Sequence, residues 1–337
     1  MRTAHGGRGR WRIATAVVLV LLPACSSQSS TIKPAAAASG GQGTPVSSTT
    51  STTPPQAPPT TAPPPPAPPR IVAPPWTTQP GEGVWAPAGR TVQGAPAVYV
   101  TTVHQSGHPV GVAWMDTGRL RFALYAGTTQ PAGHWSNDGA VPPTLWGSLV
   151  ATMNSGFRLN QSMGGFYLDG TAAVPLRNGG ASFVVYRDGS ATVAEWGRDA
   201  TLSPAVAAVR QNLDLLVDHG APTPAAADPN PSRVWGAPYH GNVVTWRSAL
   251  GVDRQGDVLY VAGPALLPPT LAAIMVAAGA TRAMELDINP LWDNFDYFQG
   301  PPTALKSSQL LPIMQFPADH FLHPYWRDFI AAFARPG

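Results

Sequence analysis

The sequence predicts an α+β fold: one domain on a largely antiparallel or mixed sheet with a few packed helices, preceded by a disordered stalk. Three observations carry this. Apolar alternation begins near residue 84 and recurs in short runs. Turn dipeptides separate several of these runs. Only two stretches repeat apolar residues at spacings of three and four. The span 81–337 is long enough to bury a single large core.

The elements follow in chain order. Residues 110–115 and 120–124 flank Asp116-Thr117-Gly118 and read as a hairpin, with Leu120, Phe122 and Leu124 on one face. Residues 182–186 and 191–196 flank Asp188-Gly189, a strong hairpin-turn dipeptide. Ser203 is placed to cap a helix with Pro204 at its first position. Val206, Val209, Leu213 and Leu216 would form its apolar stripe, and Gly220 its end. Residues 249–252 and 258–262 flank a turn at Gln255-Gly256. Thr270 is placed to cap a second helix, with Leu271, Ile274, Met275 and Ala278 on one face and Gly279 near its end. Residues 281–287 follow as a short strand.

Ahead of the domain the texture is different. Residues 1–24 read as a signal peptide: Arg2, Arg8, Arg10 and Arg12 form a basic start, and residues 13–22 an apolar run too short to span a bilayer. The run ends in Leu22-Pro23-Ala24-Cys25, which resembles the lipobox of bacterial lipoproteins. That resemblance implies acylation of Cys25, an anchor at the extracytoplasmic face of the cell membrane, and more than one acyl chain for stable attachment. Cys25 is the chain's only cysteine, so no intrachain disulfide can form. Residues 25–80 form a Pro/Thr/Ser-rich linker in which only Lys33 and Arg70 carry charge. At about 3.1 Å per residue in polyproline II, such a stretch could reach roughly 150 Å. The net charge of +3 includes the four arginines of residues 1–24, where no acid stands, which leaves −1 for the remainder. That balance gives a nucleic-acid partner no electrostatic footing.

The common hydrolytic signatures are absent. Ser162 comes nearest to a nucleophile elbow, but Asn160 stands where the first glycine belongs. His104 and His108 have helical spacing, yet Gly107 and Pro109 oppose a helix, and His320 and His323 lack a clear third ligand. These four histidines read as structural or surface residues.

Three other segments stand out. The first is Met153-Asn154-Ser155-Gly156-Phe157 with Met163-Gly164-Gly165-Phe166, the second Trp246-Arg247-Ser248-Ala249-Leu250-Gly251, and the third Ala278-Gly279-Ala280 leading to Glu285-Leu286-Asp287. In this order they resemble the phosphodiester glycosidase family, over roughly residues 95–300. Residues 210–220 fill the place of a further family segment. The family pattern Leu-Asp-Gly-Gly is altered here to Leu286-Asp287-Ile288-Asn289, and Ser155 replaces a motif glycine.

The resemblance implies a hydrolase that cleaves a sugar-1-phosphodiester in a cell-wall or envelope glycan, without an organic cofactor. It assigns Asp287, Glu285 and Arg247 to catalysis and Asn154, Gly156, Phe157, Asn212 and Asp218 to the substrate. Glu285 and Asp287 stand two apart on the strand, so both would face one way. A phosphate monoester departs as a stable anion and needs little acid assistance, so one carboxylate and one cation could suffice. Arg247 would take the phosphate in its guanidinium fork, Asp287 would face the anomeric carbon, and Asn154 would orient a hydroxyl or water. Asp214, Asp218, Glu285 and Asp287 could supply hard oxygen ligands to a divalent cation, but no spacing demands one and no metal is assigned. The alternative is a non-catalytic glycan-binding or scaffolding lipoprotein on the same fold. An open cleft holding Asn154, Arg247, Glu285 and Asp287 favours catalysis, and a cleft plugged by Ile288 or Trp292 favours binding.

Overall fold

A computed structural model describes residues 67–71, 79–228, 233–236 and 242–337. The segment read as a signal peptide, Cys25 and most of the expected linker lie outside them. Among the described residues no helix is long and apolar enough to cross a membrane.

Three sheets make up the unit that spans residues 62–337. The largest has eight strands, in the order Ala86–Val92, Ala95–Gln105, His108–Met115, Val258–Leu266, Thr245–Val252, Arg282–Glu285, Leu215–Asp218 and Ala221–Pro222. The second runs Thr171–Val174, Phe166–Leu168, Val206–Gln211, Ala181–Tyr186 and Ala191–Glu195. The third runs Lys306–Gln309, Phe295–Gln299, Leu149–Asn154, Phe329–Ala334 and Leu120–Tyr125. The ladders are antiparallel throughout, as in Leu250 opposite Tyr260 on one side and Met284 on the other.

The large sheet is covered on both faces. Val112, Ala249, Leu259 and Ala283 pack beneath the helix Pro268–Ala277, against Leu271, Ile274 and Met275. On the other face Met115, Leu250, Tyr260 and Met284 share one core with Phe122, Met153, Phe295 and Ile330 of the third sheet and Phe166, Phe183 and Val193 of the second. A sheet buried on both faces reads as apolar runs rather than clean alternation, which is how residues 258–262 look.

Sheet content therefore exceeds the α+β expectation, and one predicted helix is absent. Residues 206–211 form the central strand of the second sheet, and 215–218 a strand of the first. The three-residue spacing of Val206 and Val209 comes from a bulge in the ladder, which turns both to the outer face while Ala208 enters the central core. Leu213, in the left-handed region at φ 56°, ends the run, and it packs with Leu216 beneath the helix. One apparent stripe thus serves separate cores. The second helix is present, but Pro268 and Pro269 occupy its first turn, Leu267 is the N-cap, and Thr270 lies inside.

The hairpins at Asp188-Gly189 and Gln255-Gly256 form as expected. The one at Asp116-Thr117-Gly118 does not. Residues 110–115 pair within the large sheet, whereas 120–125 pair with Phe329–Ala334. The Asp116 carboxylate accepts the Gly118 and Arg119 amides, so the turn transfers the chain between sheets.

The far end of the linker touches the domain. Ile71 is buried in the core beneath the helix, Gly83 passes close against it, and Trp85 donates its indole N–H to the Pro69 carbonyl at 2.8 Å.

Candidate active site

The strand ends of all three sheets meet around the segment 285–294. Ser248 and Asp287 extend the ladder past Glu285: the Ser248 amide donates to the Asp287 carbonyl at 2.9 Å, and Leu286 donates back to Ser248 at 2.8 Å. Asp287 then turns the chain on its own carboxylate, whose Oδ1 accepts the Ile288 and Asn289 amides at 2.8 and 3.0 Å. Oδ2 accepts Nη1 of Arg327 at 3.1 Å, and Arg327 Nη2 donates to the Gly156 carbonyl at 2.6 Å. Asp287 is only 1% exposed.

A second carboxylate stands beside it. Asp293 Oδ1 accepts the Ser248 hydroxyl at 2.6 Å, while its Oδ2 is buried without a partner. Ser248 also accepts the Asp287 amide and the Asn154 side-chain amide, at 3.1 and 3.0 Å. Burial pushes both carboxyls above the usual carboxylate range. For Asp287 the Arg327 charge and two backbone N–H groups oppose the rise. For Asp293 the neighbouring Asp287 charge adds to it. The two carboxyls differ in their partners: Asp287 has a guanidinium and two backbone amides, which favour its anion, and Asp293 has one hydroxyl and an unpartnered oxygen.

Glu285 and Arg247 form a separate buried ion pair. Arg247 also donates to the carbonyls of Leu266, Trp235 and Val243 at 3.1 Å each. Burial outweighs the pull of Arg247 and lifts the Glu285 carboxyl to about 7, with the Asp287 charge adding to the rise. The expected role of Arg247 as a phosphate fork fails on this geometry, because its guanidinium is committed to Glu285 and to three backbone carbonyls.

Several other assignments change. Asn154 is a buried strut: its amide donates to Ser155 and Ser248, and its oxygen accepts the Tyr260 hydroxyl and the Asn294 amide. Asn212 bridges elements too, donating to the carbonyls of Glu285 and Leu286 and accepting the Phe157 amide. A Cβ on Gly156 would meet the Asn212 side chain at 2.8–2.9 Å, which accounts for glycine there. Phe157 and Ile288 belong to the core beneath the helix, so Ile288 does not plug the site. Asn289 accepts the Leu291 amide within the turn. Asp218 lies elsewhere: it pairs with Arg198 and Arg282, at the opposite end of the strand from Glu285. Asp214 pairs with Arg177. The four acids named for a cation do not converge, and among the described residues no group of three or more metal-ligating side chains is placed to hold one. His104 pairs with Glu82, and His320 sits buried between Phe316 and Phe321.

The site contains residues that the motifs did not indicate. Arg327 lies 40 positions after Asp287, beyond the span of the family resemblance. Its neighbour Asp328 binds Arg210 at 2.6 Å, and Arg210 in turn donates to the Phe157 carbonyl. Residues 327–328 therefore hold the 156–157 backbone at two successive carbonyls. Trp292 and Trp326 meet edge to face at 5.7 Å, and the Arg327 guanidinium lies 4.0 Å from the Trp292 ring centre. Trp292 is thus the lid over the buried pair. Trp326 is 37% exposed and has no sequence motif around it. The groove of about 370 Å³ beside Glu82 and His104 shares no lining residue with this cluster.

No family model and no curated protein matches the sequence. Among solved structures, one similar chain is the zebrafish N-acetylglucosamine-1-phosphodiester alpha-N-acetylglucosaminidase catalytic domain, auto-inhibited by its pro-peptide. Identity is 13% and the TM-score 0.45, over 74% of this chain and 87% of that one. A hypothetical protein from Synechocystis aligns at 13% identity and a TM-score of 0.39, over 74% and 64%. Both are distant likenesses of fold.

Proposed function

We propose that the chain is an exported, lipid-anchored hydrolase that cleaves a sugar-1-phosphodiester of an envelope glycan. The observation that carries this reading is the pair of buried carboxylates at the junction of three sheets. Asp287 is held by Arg327, and Asp293 is held by Ser248 with one oxygen free of partners. The motif resemblance of the sequence supplies the substrate class.

In the reaction, water attacks the anomeric carbon and the bond from that carbon to the phosphate oxygen breaks. The bonding electrons leave on the phosphate monoester. Asp287, ionised, accepts the water proton or faces the oxocarbenium charge, and Arg327 keeps it ionised. Asp293, held protonated, donates to the leaving oxygen where help is needed. The assay is release of free sugar and phosphate monoester by the full-length chain from alkyl hexose-1-phosphates in ¹⁸O-labelled water. The label is expected in the sugar. Label in the phosphate would mean that the phosphorus–oxygen bond breaks and would overturn the mechanism.

The second reading, a glycan-binding lipoprotein, is favoured by the Trp292 lid and the 1% exposure of Asp287. Saturable glycan binding with no product from any substrate would decide for it. Attachment rests on Cys25: Cys25→Ser is expected to leave a chain without acyl mass that stays unprocessed or leaves the membrane.

A further inference from the structure

Arg158 lies on the loop between the strands Leu149–Asn154 and Phe166–Leu168, at a turn where its carbonyl accepts the amides of Gln161 and Ser162 at 2.7 and 2.9 Å. Its guanidinium sits 5.0 Å from the Trp292 ring centre and 5.2 Å from that of Trp326. Arg327 uses the same two rings, at 4.0 and 5.9 Å. Two guanidinium groups thus share one aromatic pair.

Their partners differ. Arg327 has Asp287 and the Gly156 carbonyl, yet its Nε is buried without a partner. Among the described residues the Arg158 side chain has no ion pair or hydrogen bond, and its Nε is likewise buried and unpartnered. Arg327 therefore has a carboxylate, and among the described residues Arg158 has none. Like charges on a shared platform repel unless an anion lies between them. The aromatic faces hold the guanidiniums but satisfy none of their N–H groups.

We infer that Arg158 and Arg327, on the platform of Trp292 and Trp326, form the receiving site for the phosphate of a glycosyl phosphate, with the exposed Trp326 face available to the sugar ring. This deepens the proposed function and rests on it for the substrate class. It also relocates the phosphate cation from Arg247 to Arg158.

The test is binding of glucose 1-phosphate, inorganic phosphate and glucose to the full-length chain, by titration calorimetry and tryptophan fluorescence. Arg158→Ala is expected to weaken glucose 1-phosphate and phosphate by roughly tenfold or more, and Arg158→Lys by less, because a point charge replaces a bidentate fork. Glucose binding should not change. Thermal unfolding of Arg158→Ala should fall only slightly, since the guanidinium makes no hydrogen bond or ion pair among the described residues and loses only its contact with the two rings. Equal phosphate affinity in parent and Arg158→Ala, or no phosphate-dependent binding by the parent, would overturn the site. The hydrolysis assay separates this from the parent reading. Phosphate binding lost in Arg158→Ala, in a chain without turnover, keeps the site and removes the enzyme. Turnover with an unchanged KM in Arg158→Ala does the reverse.

Discussion

Two arginine–carboxylate pairs flank the same two-residue step of the chain, and they are built differently. Arg247–Glu285 is enclosed by the carbonyls of Leu266, Trp235 and Val243. Arg327–Asp287 is covered by an indole, leaves Nε without a partner, and adjoins Asp293 with an unsatisfied oxygen. Desolvation raises the carboxyl in both. Each pair also leaves a buried atom without a partner, Oε2 of Glu285 in the first and Nε of Arg327 in the second, so what separates them is the arginine: every nitrogen of Arg247 is bonded, and one of Arg327 is not. A buried arginine whose nitrogens are all bonded within the fold is a brace. One that leaves polar atoms unsatisfied beneath a side-chain lid is a receptor, because those atoms gain a partner only from a ligand or water.

Substitutions can break this contrast. The largest effect is expected at the brace: Arg247→Ala strands Glu285 in the core and should cost about 3–5 kcal/mol of unfolding free energy, read by urea titration. A loss below about 1 kcal/mol would return Arg247 to the list of ligand contacts. Next is Asp287→Asn at the receptor, which should lower turnover by roughly 10²–10³ with circular dichroism unchanged. An active Asp287→Asn chain would move the assignment to Asp293.

The third test is pH. Glu285 titrates near its ordinary 4.5 when unfolded and near about 7 when folded. Between these values the native state holds a proton that the unfolded state has released, so this contribution is present below pH 4.5 and is lost as pH rises through 7. The loss is about 3 kcal/mol. Glu285→Gln should flatten that slope, and denaturation curves at several pH values will read it. An identical slope in both chains would assign the titration to other groups. The smallest effect is at the rim. Trp326→Ala should weaken sugar-phosphate binding by about 1 kcal/mol without changing the urea midpoint.

Legibility in the sequence followed locality. The hairpins at Asp188-Gly189 and Gln255-Gly256 are written in contiguous residues and formed as read. The helix carrying Leu271, Ile274 and Met275 is equally local. The stretch from Val206 to Leu216 misled because a bulge and a left-handed Leu213 reproduce helical spacing in strands. At the site, Asn154 and Asp287 meet on the Ser248 hydroxyl, whereas Arg247 and Glu285 pair apart from them. Their roles could not be read, because hydrogen-bond saturation depends on partners far along the chain. Asn154 is satisfied by Tyr260, 106 positions away, and Asp287 by Arg327. Trp326-Arg327-Asp328 carried no signal, since it meets Gly156 only after the third sheet is assembled.

That last contact has a consequence for the order in which the protein matures. A chain is made from its N-terminus, and Gly156 precedes Arg327 by 171 positions. Until Phe329–Ala334 is inserted between Leu149–Asn154 and Leu120–Tyr125, neither Arg327 nor Asp328 can reach its partner. Asp287 gains its Arg327 partner only when that strand arrives. A partly made or partly threaded chain therefore holds Asp287 without its cation. Insertion of the late strand both completes the third sheet and closes the Arg327–Asp287 pair, so folding itself sets the moment at which the cluster is assembled.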